Sequence, residues 1–172
     1  EHDDTTYYLS NWSKEVITKA KSKGINVIDL PKKRANKVEV TSVLSKQNPG
    51  LVIFNGHGGD NVIGGDQKEP LIIANNNESL LKDKITYAVS CKSALKLGPK
   101  SINSGAKAYI GYDDDFIFIY DPNNMTHPLK DDTAKLFLEP SNELTISLIK
   151  GNNVEDSCKR SKQHFQDNIK KL

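Results

Sequence analysis

LVIFNGHGGD (Leu51–Asp60) and ITYAVSCKSA (Ile85–Ala94) are the two stretches whose reading decides the fold. LVIF is apolar on both faces, as strands are inside a parallel sheet covered by helices. ITYAVS reads as the next strand, and a long polar loop rich in Gly and Asn, from Asn55 to about Asn77, separates the two. Upstream, Asn48-Pro49-Gly50 is a turn. Asn36 with Glu39 three residues later is a capping-box-like start for a helix through about Lys46. INVIDL (Ile25–Leu30) reads as a strand stopped by Pro31. Before it, Tyr8, Trp12, Val16 and Ala20 recur every four residues on one helical face. Asp4 to Thr6 supply capping side chains for that helix, and Gly24 stops it.

Downstream, a helix is expected from about Lys92, broken at Gly98-Pro99, with a second turn to Asn103. AKAYIGY (Ala106–Tyr112) is a further strand, and Phe116–Tyr120 adds a shorter one. Helices follow over Asp131 to about Glu139, Pro140 to Lys150, and Asn153 to the end. In the last, Val154, Cys158, Phe165, Ile169 and Leu172 share a face. Alternating strands and helices imply a three-layer α/β/α domain with a mostly parallel sheet, one domain over residues 1–172.

Composition narrows the function classes. Hydrophobic residues at 36% and charged residues at 27% of 172 are a globular balance, not a disordered one. A net charge of +2 with scattered basic residues argues against a nucleic-acid binder. The longest apolar runs, such as Leu51–Phe54 and Leu71–Ala74, are far too short to span a membrane. Two cysteines fit a reducing compartment rather than a disulfide framework, so the cytoplasm is the expected location. The polar start at Glu1, without an initiator Met, leaves room for material upstream.

Ligands of open parallel sheets bind beyond the carboxyl ends of the strands. There LVIF is followed by Asn55-Gly56-His57-Gly58-Gly59-Asp60, and ITYAVS by Cys91-Lys92-Ser93. Glycines around a His let the backbone turn tightly and expose amides beside the imidazole. A Cys between a strand and a helix start sits where the helix dipole favours its thiolate. Together, His57 can activate Cys91 while nearby amides face a developing oxyanion. Cys158, on an apolar helix face, reads as a small buried hydrophobe. Asp60 and Asp66 are the oxygen ligands the loop offers a calcium ion, a weak signal, and no cofactor is otherwise expected. The loop lacks the Gly-x-x-x-x-Gly-Lys-Ser/Thr pattern of a phosphate cradle. His127 reads as a surface loop residue, and His2 and His164 have no partner legible in the sequence.

A hydrophobic strand ending in His-Gly, then one ending in Cys, resembles the caspase-like (clan CD) cysteine peptidases. The stretch ITYAVSCKSALKLGPKSINSGAKAYIGY looks most like the gingipain, CHAT and separase branch, and the similarity spans roughly Ile25 to Tyr120. The resemblance implies an endopeptidase with His57 as catalytic His, Cys91 as nucleophile, and the amides of Gly58 and Cys91 as oxyanion hole. It also implies a loose dyad, in which the His mainly protonates the leaving amine. The caspase pattern Gln-Ala-Cys-x-Gly is absent, replaced by Val89-Ser90-Cys91-Lys92-Ser93, which argues against caspase-style Asp specificity. Gly111-Tyr112-Asp113-Asp114-Asp115 stands where relatives carry a segment that binds a basic side chain, so Asp113 and Asp115 are expected to receive Arg or Lys. The alternative function is a catalytically inactive scaffold that binds a protein partner in the cleft. The resemblance further implies a first strand preceding the first helix and lying between INVIDL and LVIF. That strand is expected from residues upstream of Glu1 or from a second polypeptide. Direct pairing of INVIDL with LVIF is the alternative.

Overall fold

The computed structural model describes residues 3–171. Its helices are α1 (Asp4–Ser22), α2 (Lys37–Lys46), α3 (Leu97–Asn103), α4 (Asp132–Ile149) and α5 (Val154–Ile169). Its strands are β1 (Leu51–Asn55), β2 (Gly58–Gly59), β3 (Val62–Gly64), β4 (Pro70–Ile73), β5 (Ile85–Val89) and β6 (Ala108–Ile110). The fold is α/β, with a parallel sheet ordered β1-β5-β6 and a small antiparallel sheet ordered β2-β3-β4. The chain divides into two compact units, Glu1–Thr6 with Asp29–Phe116, and Tyr7–Ile28 with Ile117–Leu172.

The first unit holds both sheets. Asn36 caps α2 by accepting the Glu39 amide at 2.9 Å, as the sequence predicts. Val40 and Leu44 of α2 pack with Phe54, Ile63, Leu71, Ile72, Leu81, Ala88 and Leu97. Each fully buried aliphatic side chain of this kind contributes about 1.5–3 kcal/mol. The expected polar loop 55–77 instead contains the antiparallel sheet. Its apolar positions Ile63, Leu71 and Ile72 are buried, at 0%, 3% and 0% exposure. These runs are too short to stand out by periodicity among Gly and Asn, and only tertiary burial stabilises them.

INVIDL is not a strand. Residues 25–30 run without sheet pairing, with Ile25 42% and Ile28 40% exposed. Its peptide groups pair with no strand among the described residues. Phe116–Tyr120 likewise forms no strand. The helix expected from Lys92 begins only at Leu97, and Pro99 sits in its first turn, where a missing N–H removes no helical bond. AKAYIGY pairs only over Ala108–Ile110.

In the second unit Tyr8, Leu9, Trp12 and Ala20 of α1 are buried. The Trp12 indole donates to the Pro128 carbonyl at 3.1 Å, and the Tyr8 hydroxyl to Asp131 Oδ2 at 2.7 Å. Asp131 also caps α4 through the amides of Thr133 and Ala134. The helices expected on either side of Pro140 are one helix, α4. Proline removes the donor for the Leu136 carbonyl, and the Asn168 amide replaces it at 2.9 Å. The most deeply buried positions of α5 are Ser157, Ser161 and Asn168, while Val154 and Phe165 of the expected apolar face are half-buried. Ile169 is 69% exposed, Cys158 is half-buried, and Leu172 lies outside the described residues.

Candidate active site

Register brings the two sequence-predicted residues together. β1 and β5 run parallel with Asn55 opposite Val89 as the last pair, and the Gly56 amide donates to the Val89 carbonyl at 3.2 Å. His57 and Cys91 therefore each stand two residues beyond the end of adjoining strands, at the same level of the sheet. Gly58 makes the approach possible. A Cβ there would lie 2.7 Å from Ser90 Cβ, 3.0 Å from the Val62 carbonyl oxygen and 3.2 Å from that of Cys91. The backbone of the His loop thus packs directly on the backbone of the Cys turn, a contact only glycine permits. The His57 carbonyl accepts the Gly64 amide at 2.9 Å, tying the loop to β3.

The segment after Cys91 is a turn, which corrects the expectation of a helix N-terminus behind the thiol. Cys91 is half-buried and free of any disulfide. Lys92 has φ 56°, its amide donates to the Asp114 carbonyl at 3.0 Å, and the Ala94 amide donates to that of Tyr112 at 3.0 Å. α3 begins only at Leu97, six residues on, so a thiolate at Cys91 would draw on local amides and His57. Among the described residues the Cys91 amide carries no hydrogen bond, which leaves it able to donate to an oxyanion.

Asp60 holds the two loops together. Its carbonyl accepts the amides of Lys96 and Leu97, both at 2.9 Å, and its carboxylate pairs with the Lys96 ammonium at 2.5 Å. That lysine lowers the carboxyl of Asp60 below its ordinary value. Asp66 opens a short 3-10 turn at 66–68, its amide on the Ala35 carbonyl. Among the described residues no three His, Cys, Asp or Glu side chains gather as a metal site would require.

The acidic segment lies beside Cys91 in a loop beyond the sheet, because β6 ends at Ile110. Asp113 and Asp115 are both exposed. Asp115 pairs with the Lys92 ammonium at 3.2 Å, which raises the lysine's pKa. The segment is braced by Tyr112, whose hydroxyl lies 3.0 Å from that of Tyr87 and whose ring packs at a tilt against Phe116.

One residue escaped the sequence reading. Asp3 Oδ2 meets His57 Nε2 at 2.5 Å. Burial raises the Asp3 carboxyl, but the Thr6 amide, the His57 ring and the Thr6 hydroxyl outweigh it and hold it at about 2. The capping residue of α1 is thus Asp3, one position ahead of the expected set, with the Thr6 amide on its Oδ1 at 2.9 Å. An Asp three residues before Thr6 is legible as a cap. Its contact with a His 54 positions away is not.

Among the described residues no helix is long and apolar enough to cross a membrane. No family model, curated protein or solved structure matches the chain.

Proposed function

We propose that the chain is a caspase-like cysteine endopeptidase with a three-layer α/β/α architecture, hydrolysing peptide bonds through an acyl-enzyme on Cys91. The observation that supports this reading is the β1–β5 register, which ends the two strands at one level, with His57 and Cys91 each two residues beyond. The Cys91 sulfur attacks the scissile carbonyl carbon, and the amides of Gly58 and Cys91 donate to the oxygen as it becomes an oxyanion. His57 delivers a proton to the leaving amine. It then takes one from the water that attacks the thioester, releasing the acid and restoring the thiol. The chemistry needs neither metal nor organic cofactor, and a reducing compartment such as the cytoplasm suits a free thiol.

For specificity we favour Arg or Lys before the scissile bond, received by Asp113 and Asp115. A basic side chain would compete with Lys92 for Asp115. A positional-scanning peptide library with the purified chain tests the reading, with Cys91→Ala and His57→Ala as controls. Turnover retained by Cys91→Ala refutes it. The turn in place of a helix after Cys91 favours the second reading, a non-catalytic scaffold. Rapid His57-dependent alkylation of Cys91, with Cys158 inert, decides for the enzyme.

The parallel sheet also carries a partner expectation. The Ile85 amide donates to the Gly50 carbonyl, and the Gly56 amide to that of Val89. Ladder alternation then turns the peptide groups of Leu51, Ile53 and Asn55 away from β5. Among the described residues these three have no backbone partner, and β1 carries no Pro or charge to guard its edge. INVIDL does not fill the place. We infer that a strand from polypeptide outside these residues pairs there. Slowed hydrogen exchange at Leu51 and Ile53 in a chain extended ahead of Glu1 is the expected sign.

A further inference from the structure

Asp3 uses its two carboxylate oxygens for different tasks. Oδ1 accepts the Thr6 amide at 2.9 Å with the Thr6 hydroxyl 3.0 Å away, and the Asp3 amide returns a bond to that hydroxyl at 3.4 Å. This reciprocal cap locks the side chain at the start of α1. Oδ2 is thereby delivered to His57 Nε2 in a fixed direction, at 2.5 Å. The two side chains are 35% and 32% exposed, so the pair is held by geometry and not by deep burial.

We infer that Asp3 is a positioning residue for His57, selecting the tautomer protonated at Nε2 so that Nδ1 exchanges the proton with Cys91 and the leaving amine. This inference rests on the peptidase reading. An ionised carboxylate only accepts hydrogen bonds, so Nε2 must carry the hydrogen. Asp3 stays ionised to about pH 2, which keeps that condition at every working pH. In the acylation step the thiol proton moves to Nδ1 as sulfur bonds to the carbonyl carbon. The ring becomes an imidazolium whose charge faces Asp3. The C–N bond then breaks, the amine leaves with the Nδ1 proton, and the ring is neutral again. In deacylation a water proton follows the same route and ends on sulfur. Asp3 keeps its charge throughout, orienting and compensating without accepting a proton.

Asp3→Asn isolates this role. Asn caps helices as well as Asp does, so its oxygen stays with the Thr6 amide. The amide nitrogen then faces Nε2 as a donor and favours the opposite tautomer. In serine peptidase triads the equivalent exchange costs about 10⁴ in kcat. Here the looser dyad leads us to expect at least a loss of about a hundredfold, with KM within about twofold. Imidazole ¹⁵N NMR should place the hydrogen of neutral His57 on Nε2 in the parent chain and on Nδ1 in Asp3→Asn. If Asn destabilises α1, Asp3→Ser keeps a capping oxygen but cannot reach His57, and it should also lose rate and the Nε2 preference. An unchanged tautomer overturns the inference, as does a changed tautomer with unchanged kcat. A parent chain inactive on every peptide refutes the peptidase reading instead. The tautomer and the rate of Cys91 alkylation then still judge Asp3: a slower alkylation in Asp3→Asn upholds its role and an equal one overturns it.

Discussion

Gly58→Ala probes the contact that seats the His loop on the Cys turn. The added methyl would lie 2.7 Å from Ser90 Cβ, 3.0 Å from the Val62 carbonyl oxygen and 3.2 Å from that of Cys91. Non-bonded carbons rest at about 3.5–4.0 Å, so the first contact is too close by about 1 Å. Ser90 is 1% exposed and follows the central strand β5, so it has nowhere to retreat. The 56–59 segment must move instead. Overpacking of this kind costs about 1–3 kcal/mol. A shift of about 1 Å at His57 should slow His57-dependent alkylation of Cys91 by about a hundredfold. Urea unfolding reads the first effect and iodoacetamide kinetics the second. Adding Ser90→Gly removes the 2.7 Å contact but neither carbonyl contact, so recovery in the double variant should be partial. A Gly58→Ala protein within about 0.5 kcal/mol of the parent, the range of neutral surface changes, and with unchanged alkylation would refute the packing described here.

The acid limb of stability should carry the signature of Asp3. Its folded pKa of about 2 lies below its ordinary value of 3.8, so its contribution is present above about pH 4 and is lost as pH falls through 2. The stability gap between the parent chain and Asp3→Ala should therefore close over that window, and a gap that persists below pH 2 contradicts the assignment. Asn168→Ala removes the donor to the Leu136 carbonyl, orphaned by Pro140, and should cost about 1–3 kcal/mol in urea unfolding. Pro140→Ala should restore much of that loss only in the Asn168→Ala background, and equal effects in both backgrounds would break the link. Lys92→Gln, by freeing Asp115, should lower KM for Arg and Lys substrates, and Asp115→Asn should raise it. An optimum at Asp or a large apolar residue removes both acids from the specificity role.

Local patterning carried much of the fold into view. LVIF and ITYAV are strands because their residues suit a pleated interior, and Asn36 caps α2 because its side chain reaches its own third amide. The same local reasoning failed where the deciding partner is remote. INVIDL has strand composition but pairs with no strand among the described residues. Pro140 carries a helix-breaking signal that Asn168 cancels from another helix. Glycine and asparagine in 55–77 masked three short strands that hold only through Ile63, Leu71 and Ile72.

The candidate site divides along the same line. The sequence by itself determined that a His-Gly and a Cys follow successive apolar strands, since composition and order are local properties of the chain. Only the tertiary structure decided that Asn55 pairs with Val89, that a turn and not a helix follows Cys91, and that Asp3 meets His57. Register, close backbone approach and a hydrogen bond across 54 positions are set by the simultaneous packing of distant segments. No periodicity along the chain encodes them.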